Sequence, residues 1–375
     1  MATHRHDRRR AATRHHHGGP DLLDEANRLA SAGEPFELLT FASGLVAALD
    51  PRRADPLSRA PATAGTPPGL EAFVEALGGS DGPGAAALLV CLARLAPDPS
   101  TRERVSALAD ARGTGLPPAL RGLDGVAVTR TVTVTHVLGD GEDVMLELRL
   151  GPGSGAVATA AVYVDHDLGT VVKDAFVAPV DLAGALAAGA GPLTDPDLVV
   201  ADVRAADARA RIVEAMALGD STYPPYESVT WPACQPLLEW ALRTLPEGGE
   251  GYARAEWDDD ARDALAEGFF ASPAGRALDD DAHRDLLDSL VRYKTGYGAG
   301  DPLRWSAVSV EIVLDWLPRT VFSPDGHLVL APGLLRALIP YGHAQRGIGH
   351  ELTAQALATL DRLEPDFRRR VARRP

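Results

Sequence analysis

Cysteine and lysine are nearly missing from this sequence: Cys91 and Cys234, Lys173 and Lys294 are the only two of each in 375 residues. Two cysteines define neither a disulfide framework nor a cysteine-based zinc site, so reduced thiols are expected. Aromatic residues make up 5% of the chain. No apolar run reaches the roughly 18 residues a membrane-spanning helix needs, and no apolar stretch follows the Arg/His-rich N-terminus as it would in a secretory signal. The expectation is a cytoplasmic protein with no membrane partner. Also missing are a Gly-rich phosphate loop, a Gly-x-Ser-x-Gly elbow and a Cys-x-x-Cys pair, so no cofactor and no metal are expected. With 35 arginines against those two lysines, and much Ala, Gly and Pro, the composition points to a GC-rich bacterial genome.

Charge is present but uneven. The formal net charge is −15; residues 1–20 carry five Arg and one Asp and residues 367–375 five Arg, leaving −24 on the residues between. An acidic body repels phosphate backbones, which disfavours nucleic acid as a main partner and leaves only the basic ends to touch one. Residues 1–20 have no hydrophobic period and read as a disordered basic tail, with His15, His16 and His17 part of it.

The clearest pattern runs from Val126 to Val177. Val126, Val128, Val132, Val134 and Leu138 alternate with Thr129, Thr131, Thr133 and Thr135, which is the period of a half-buried strand with its threonines toward solvent. Asp140-Gly141 reads as the turn into a second strand through Val144, Leu146, Leu148 and Leu150. Gly-Pro-Gly-Ser-Gly at 151–155 ends it, Val157 to Asp165 makes a third strand, and the region of Gly169 turns into Thr170 to Val177. Four short-linked strands form an antiparallel meander whose apolar face, with Val132, Val134, Leu146 and Leu148, requires a cover of helices. The fold class is therefore α+β: a four-stranded antiparallel meander over about 126–177 packed with helices, an N-terminal helical bundle and an all-α C-terminal lobe. The expected organisation is a tail at 1–20, a helical region at 21–115, the meander domain at 116–250 and a helical region at 251–375.

Asp165-His166-Asp167 with Lys173-Asp174 is the densest group of ionisable side chains on the meander. It suits a metal or acid/base site of hydrolase type. A hairpin turn ending in Gly169 asks for the same polar residues, and as a turn it needs Gly169 for positive φ while His166 and Asp167 are dispensable. Arg130 and His136 fall in the apolar register of the first strand, with Asp174 the expected partner for a basic group there. Tyr223, Tyr226 and Trp231 around three prolines are candidates for a binding groove. Thr230 reads as the N-cap of a helix with Pro232 in its first turn, where the dipole is able to activate Cys234, although a small buried thiol is the plainer reading. Tyr341, His343, Arg346, His350 and Glu351 crowd together but lack the second His of the zinc-protease spacing.

Three stretches, Asp165 to Phe176, Trp231 to Trp240 and Tyr341 to Ile348, resemble those of an uncharacterised bacterial family of cytosolic proteins. The resemblance implies no activity and no site residues. On the residues alone, the leading expectation is an interaction module for a protein partner; the alternative is a metal-dependent hydrolase-type enzyme centred on the Asp165–Asp174 hairpin.

Overall fold

The structure, a computed structural model, describes residues 22–50, 69–112, 120, 123, 125–151, 154–189, 194–222, 230–296, 298–321 and 326–373. The tail at 1–20, Tyr223 and Tyr226 lie outside the described residues. The chain divides into two compact units, Met1–Asp124 with Pro152–Ser154, and Gly125–Gly151 with Gly155–Pro375.

The first unit contains α1 (Leu22–Ala32), α2 (Pro35–Ala48), α3 (Leu70–Gly79), α4 (Pro83–Leu95) and α5 (Pro99–Arg112). In α4 the one charged residue is Arg94, and Leu88, Leu89, Cys91 and Leu92 are all fully buried. A helix apolar on all sides has to sit in the middle. α4 accordingly packs against α1, α2, α3 and α5. The Asp98 carboxylate accepts from the Thr101 amide at 2.7 Å at the start of α5, and such hydrogen bonds hold it well below the usual carboxylate range.

The second unit is built on an antiparallel sheet of β1 (Val126–His136), β2 (Gly141–Leu150), β3 (Val157–Asp165), β4 (Val171–Ala178) and β5 (Leu198–Asp202). Their order across the sheet is β4-β3-β2-β1-β5. The meander is as the alternation implies, and β5 is an added edge strand, spelled Leu-Val-Val-Ala-Asp, that pairs with the second half of β1.

Both faces of the sheet are covered, where the alternation implied one. Val132, Met145 and Ala161 lie in one cross-strand row, and with Val134 they pack on Leu182 and Leu186 of α6 (Leu182–Ala188). Thr133, Val144, Val162 and Ala175 form a row on the opposite face. There α7 (Ala205–Asp220) and α8 (Trp231–Leu242) supply Ile212, Leu237, Leu238 and Ala241. Val132 and Leu146 therefore face opposite ways, though both are fully buried. A bulge between Val128 and Arg130 breaks the strict period of β1. Thr131 and Thr133, expected toward water, are each 6% exposed, and the Thr131 hydroxyl donates to the Val203 carbonyl at 2.5 Å. The bulge puts Val126 and Val128 on the other face from Arg130, Val132 and Val134; Arg130 is exposed and pairs with Asp202 at 3.0 Å and not with Asp174. On α7, Ile212 is buried against the sheet while its neighbour Val213 is exposed.

The remaining helices are α9 (Asp259–Ala271), α10 (Asp281–Gly296), α11 (Ala307–Thr320), α12 (Ala331–Arg346) and α13 (His350–Ala372). Their core includes Phe269, Leu287, Leu290, Trp305, Val313, Leu334 and Phe367. Aspartates open two of these helices, where their charge suits the dipole: Asp258 caps α9 by accepting from Ala261 N at 2.8 Å, and Asp280 accepts from His283 N at 3.0 Å. Among the described residues no helix is long and apolar enough to cross a membrane.

Candidate functional site

In an antiparallel meander, alternate turns emerge at the same end of the sheet. Gly141 pairs with Asp165 across β2 and β3, so the β1–β2 turn and the β3–β4 turn lie side by side. The Asp140 carbonyl joins them, accepting from the amides of His166 at 2.7 Å and Asp167 at 3.3 Å.

The sequence places the first turn at Asp140-Gly141; the chain reverses earlier. Gly139 donates to the His136 carbonyl at 2.8 Å and has the positive φ, 72°. Gly141 begins β2, and it is glycine for room: a Cβ there would lie 2.6 Å from both the Tyr163 hydroxyl and the Val164 carbonyl. Asp140 is thereby freed from the turn, and its side chain is carried inward.

In the second turn Gly169 has φ 99°, as expected, and Thr170 follows at φ 64°. A β-branched residue in that region is strained. Thr170 is held by its hydroxyl, which accepts a hydrogen bond from Arg254 and lies 3.3 Å from His166 Nδ1.

The five ionisable candidates of this hairpin point to different places. Asp165 accepts from Leu168 N at 3.0 Å and pairs with Lys173 at 2.9 Å, closing the turn on itself. The His166 ring meets Tyr252 edge to face at 5.0 Å, and its pKa is lowered by burial and by Arg254, so it is neutral at pH 7. Asp174 accepts from its neighbour's amide, Ala175 N, at 2.9 Å and from the Thr230 hydroxyl. Thr230 does sit at the N-cap position of α8, but its side chain goes to Asp174 and makes no cap bond. Among the described residues no group of three or more His, Cys, Asp or Glu is arranged to hold a metal ion.

Asp167 points into the protein toward α10. It lies 3.4 Å from Lys294 Nζ, and the two side chains are 1% and 0% exposed. Lys294 ends α10, and its ammonium also lies 5.4 Å from the centre of the Trp305 ring, a cation–π contact that partly replaces lost water. Asp140 completes the cluster. Burial, and next to it the Asp167 carboxylate, raise its pKa to about 7 against the opposing pull of Lys294 and the Ser306 hydroxyl. Tyr293 precedes Lys294, and its phenol is pushed up by burial and by the Asp167 and Asp140 carboxylates. Asp140 Oδ1, Asp167 Oδ2 and the Tyr293 hydroxyl are buried without a hydrogen-bond partner.

Sequence reasoning missed Asp140, Tyr293, Lys294 and Ser306. One signal was legible: in a chain that uses arginine almost everywhere, both lysines pair with the two aspartates of one turn, Lys173 with Asp165 and Lys294 with Asp167. A guanidinium has five donors in a rigid fork to satisfy, whereas an ammonium is a compact charge that fits a closed site.

The other candidates are placed singly. Trp231 is the first residue of α8 and is half-buried. Cys234 is buried, and burial together with the Asp174 carboxylate pushes its thiol up to about 11. His343 is buried between Thr353, at 2.8 Å, and the Trp305 carbonyl, at 3.0 Å, while Arg346 pairs with Asp301 at 2.6 Å and His350 and Glu351 are exposed. No family model matches the chain, and no curated protein or solved structure matches it.

Proposed function

We propose that this is a cytosolic protein that acts by binding a protein partner through the edge of its sheet. The observation that carries this reading is the outer edge of β5. Val203 N bonds to Thr131 O at 3.1 Å and Val137 N to Asp197 O at 2.9 Å, so the odd-numbered residues of this segment face β1 with their backbone groups. The even-numbered Val200 and Asp202 then direct theirs outward, while the Leu198 amide is already taken by the Asp195 carbonyl at 3.2 Å. Among the described residues no strand pairs with that edge. It is apolar from Leu198 to Ala201, with Val199 51% exposed, and the residues that commonly guard an edge stand only at its ends, as Pro196 and Asp202. Strand addition is the recognition mode such an edge suits: backbone hydrogen bonds hold an extended segment, and alternate side chains select it. The acidic body and Asp195 and Asp197 beside the strand favour a partner segment with basic residues flanking an apolar stretch.

The hairpin supports this reading from the other side. Asp165, His166, Lys173 and Asp174 are engaged within the fold, whereas a metal-dependent hydrolase centred there requires several of them to face one point. Capture from the native cytosol with wild type and Val200→Pro as baits, and mass spectrometry of what each retains, tests the proposal. Proline at an outward-facing edge position costs no bond to β1. The expected result is a partner held by wild type and lost by a folded Val200→Pro. The same partners on both baits, or none on wild type, overturn it.

A further inference from the structure

The Asp140–Asp167–Lys294 cluster joins four parts of the second unit: the β1–β2 turn, the β3–β4 turn, the end of α10 and the Ser306 cap of α11. One lysine faces two aspartates there: Lys294 and Asp167 are out of solvent, and Asp140 is half-buried with its Oδ1 closed off from water. Two such carboxylates beside a single ammonium leave one negative charge uncompensated unless one of them holds a proton. Asp140 Oδ1, Asp167 Oδ2 and the Tyr293 hydroxyl are all buried without a partner, and both carboxylates act on the Tyr293 phenol. We propose that Asp140 and Asp167 hold one proton between them, and that this site is a pH-sensitive clasp whose deprotonation loosens the two turns from α10 and α11.

The groups around Asp140 set the direction of the response. From β3 and its turn come Tyr163, Asp165 and Asp167; from α10, Tyr293 and Lys294; from the segment before α11, Ser306 and Arg304. Asp165 is paired with Lys173 at 2.9 Å and Arg304 with Asp301 at 3.1 Å, which leaves Lys294 as the cation committed to the pair. Asp140 titrates near 7 in the folded chain and near 4 when unfolded. Between those values the native state holds a proton that the unfolded chain has released, so stability is lost as pH rises from about 4 to about 7 and is not regained above. The clasp is independent of the binding reading above; either stands without the other.

The test compares wild type with Asp140→Asn, whose carboxamide stands in for the protonated acid. Carbon-detected NMR of the aspartate carboxyls, with Asp140 assigned by the resonance missing in the variant, is expected to show a midpoint near 7. Denaturant melts at pH 4 to 8 are expected to show a steep loss of stability in wild type relative to the variant. Exchange of the His166 and Asp167 amides, corrected for intrinsic rates, is expected to quicken at pH 8 in wild type alone. An Asp140 midpoint near 4 overturns the shared proton, and parallel exchange in the two proteins overturns the clasp. If Asp140→Asn does not fold, wild type is compared with Asp167→Asn: a near-7 midpoint absent from Asp167→Asn supports the pairing, and the same aspartate midpoints in both overturn it.

Discussion

Lys294 and Asp167 meet 3.4 Å apart with essentially no exposed side-chain surface on either. In a closed environment the cost of losing one member exceeds what the pair itself contributes, because the survivor is left as an unpaired buried charge. Lys294→Met should therefore destabilise the protein by about 3–5 kcal/mol, because it takes the one cation away from Asp167 and from Asp140 beside it. Replacing both partners, Asp167→Leu with Lys294→Met, should recover much of that loss. Chemical denaturation of the two proteins reads the difference directly; equal stability of single and double variant would show that the pair is not the cause.

Gly169, at φ 99°, is the other side of the same turn. Any side chain is strained there, and Thr170 already occupies the left-handed region beside it. Gly169→Val is expected to cost about 1 kcal/mol or more. His166→Ala loses an edge-to-face contact with Tyr252, worth about 0.5–1.5 kcal/mol beyond the area it buries, and so is not silent either. The same melts check both. A Gly169→Val protein as stable as wild type would mean that the turn relaxes freely.

How much of this was legible beforehand follows from the range of each interaction. The meander was readable because strand alternation is local. The bulge at Thr129 was not, so the two faces of β1 were confused and Arg130 was given the wrong partner. β5 is five residues long with no alternation to announce it, and its pairing with β1 spans dozens of residues. Asp140-Gly141 misled for a sharper reason: both residues are common in turns, but here the glycine makes room for Tyr163 and the aspartate faces a lysine more than 150 residues away. What links Asp167 to Lys294 is a separation of 127 residues, and no window on the sequence contains both.

Val134 tests the packing of the sheet. It is 5% exposed among Met145, Leu182 and Leu186 beneath α6. Val134→Asp places an unpaired carboxylate in that apolar layer and should prevent cooperative folding. Thr133→Asp on the opposite face should do the same, since Thr133 is also buried. Circular dichroism melts distinguish the cases: cooperative unfolding of Thr133→Asp alone would mean that α7 and α8 do not close over their face.

The cysteines test burial without any substitution. Desolvation raises the Cys91 thiol to about 12, and burial with the Asp174 carboxylate raises Cys234 to about 11. The thiolate is the nucleophile, so at pH 8 about one Cys234 in a thousand is reactive, against about a quarter of ordinary thiols with a pKa near 8.5. Iodoacetamide at pH 8 should therefore label native Cys234 at least a hundred-fold more slowly than the unfolded chain, and Cys91 more slowly still. The position of Cys234 in the first turn of α8 pulls the other way, since a helix N-terminus favours the thiolate. Proximity to Asp174 predicts which influence is stronger: Asp174→Asn removes the opposing charge and should speed labelling of Cys234 while leaving Cys91 unchanged. Peptide mass spectrometry after quenching resolves the two sites, and native Cys234 reacting as fast as an ordinary thiol would show that the helix dipole outweighs burial.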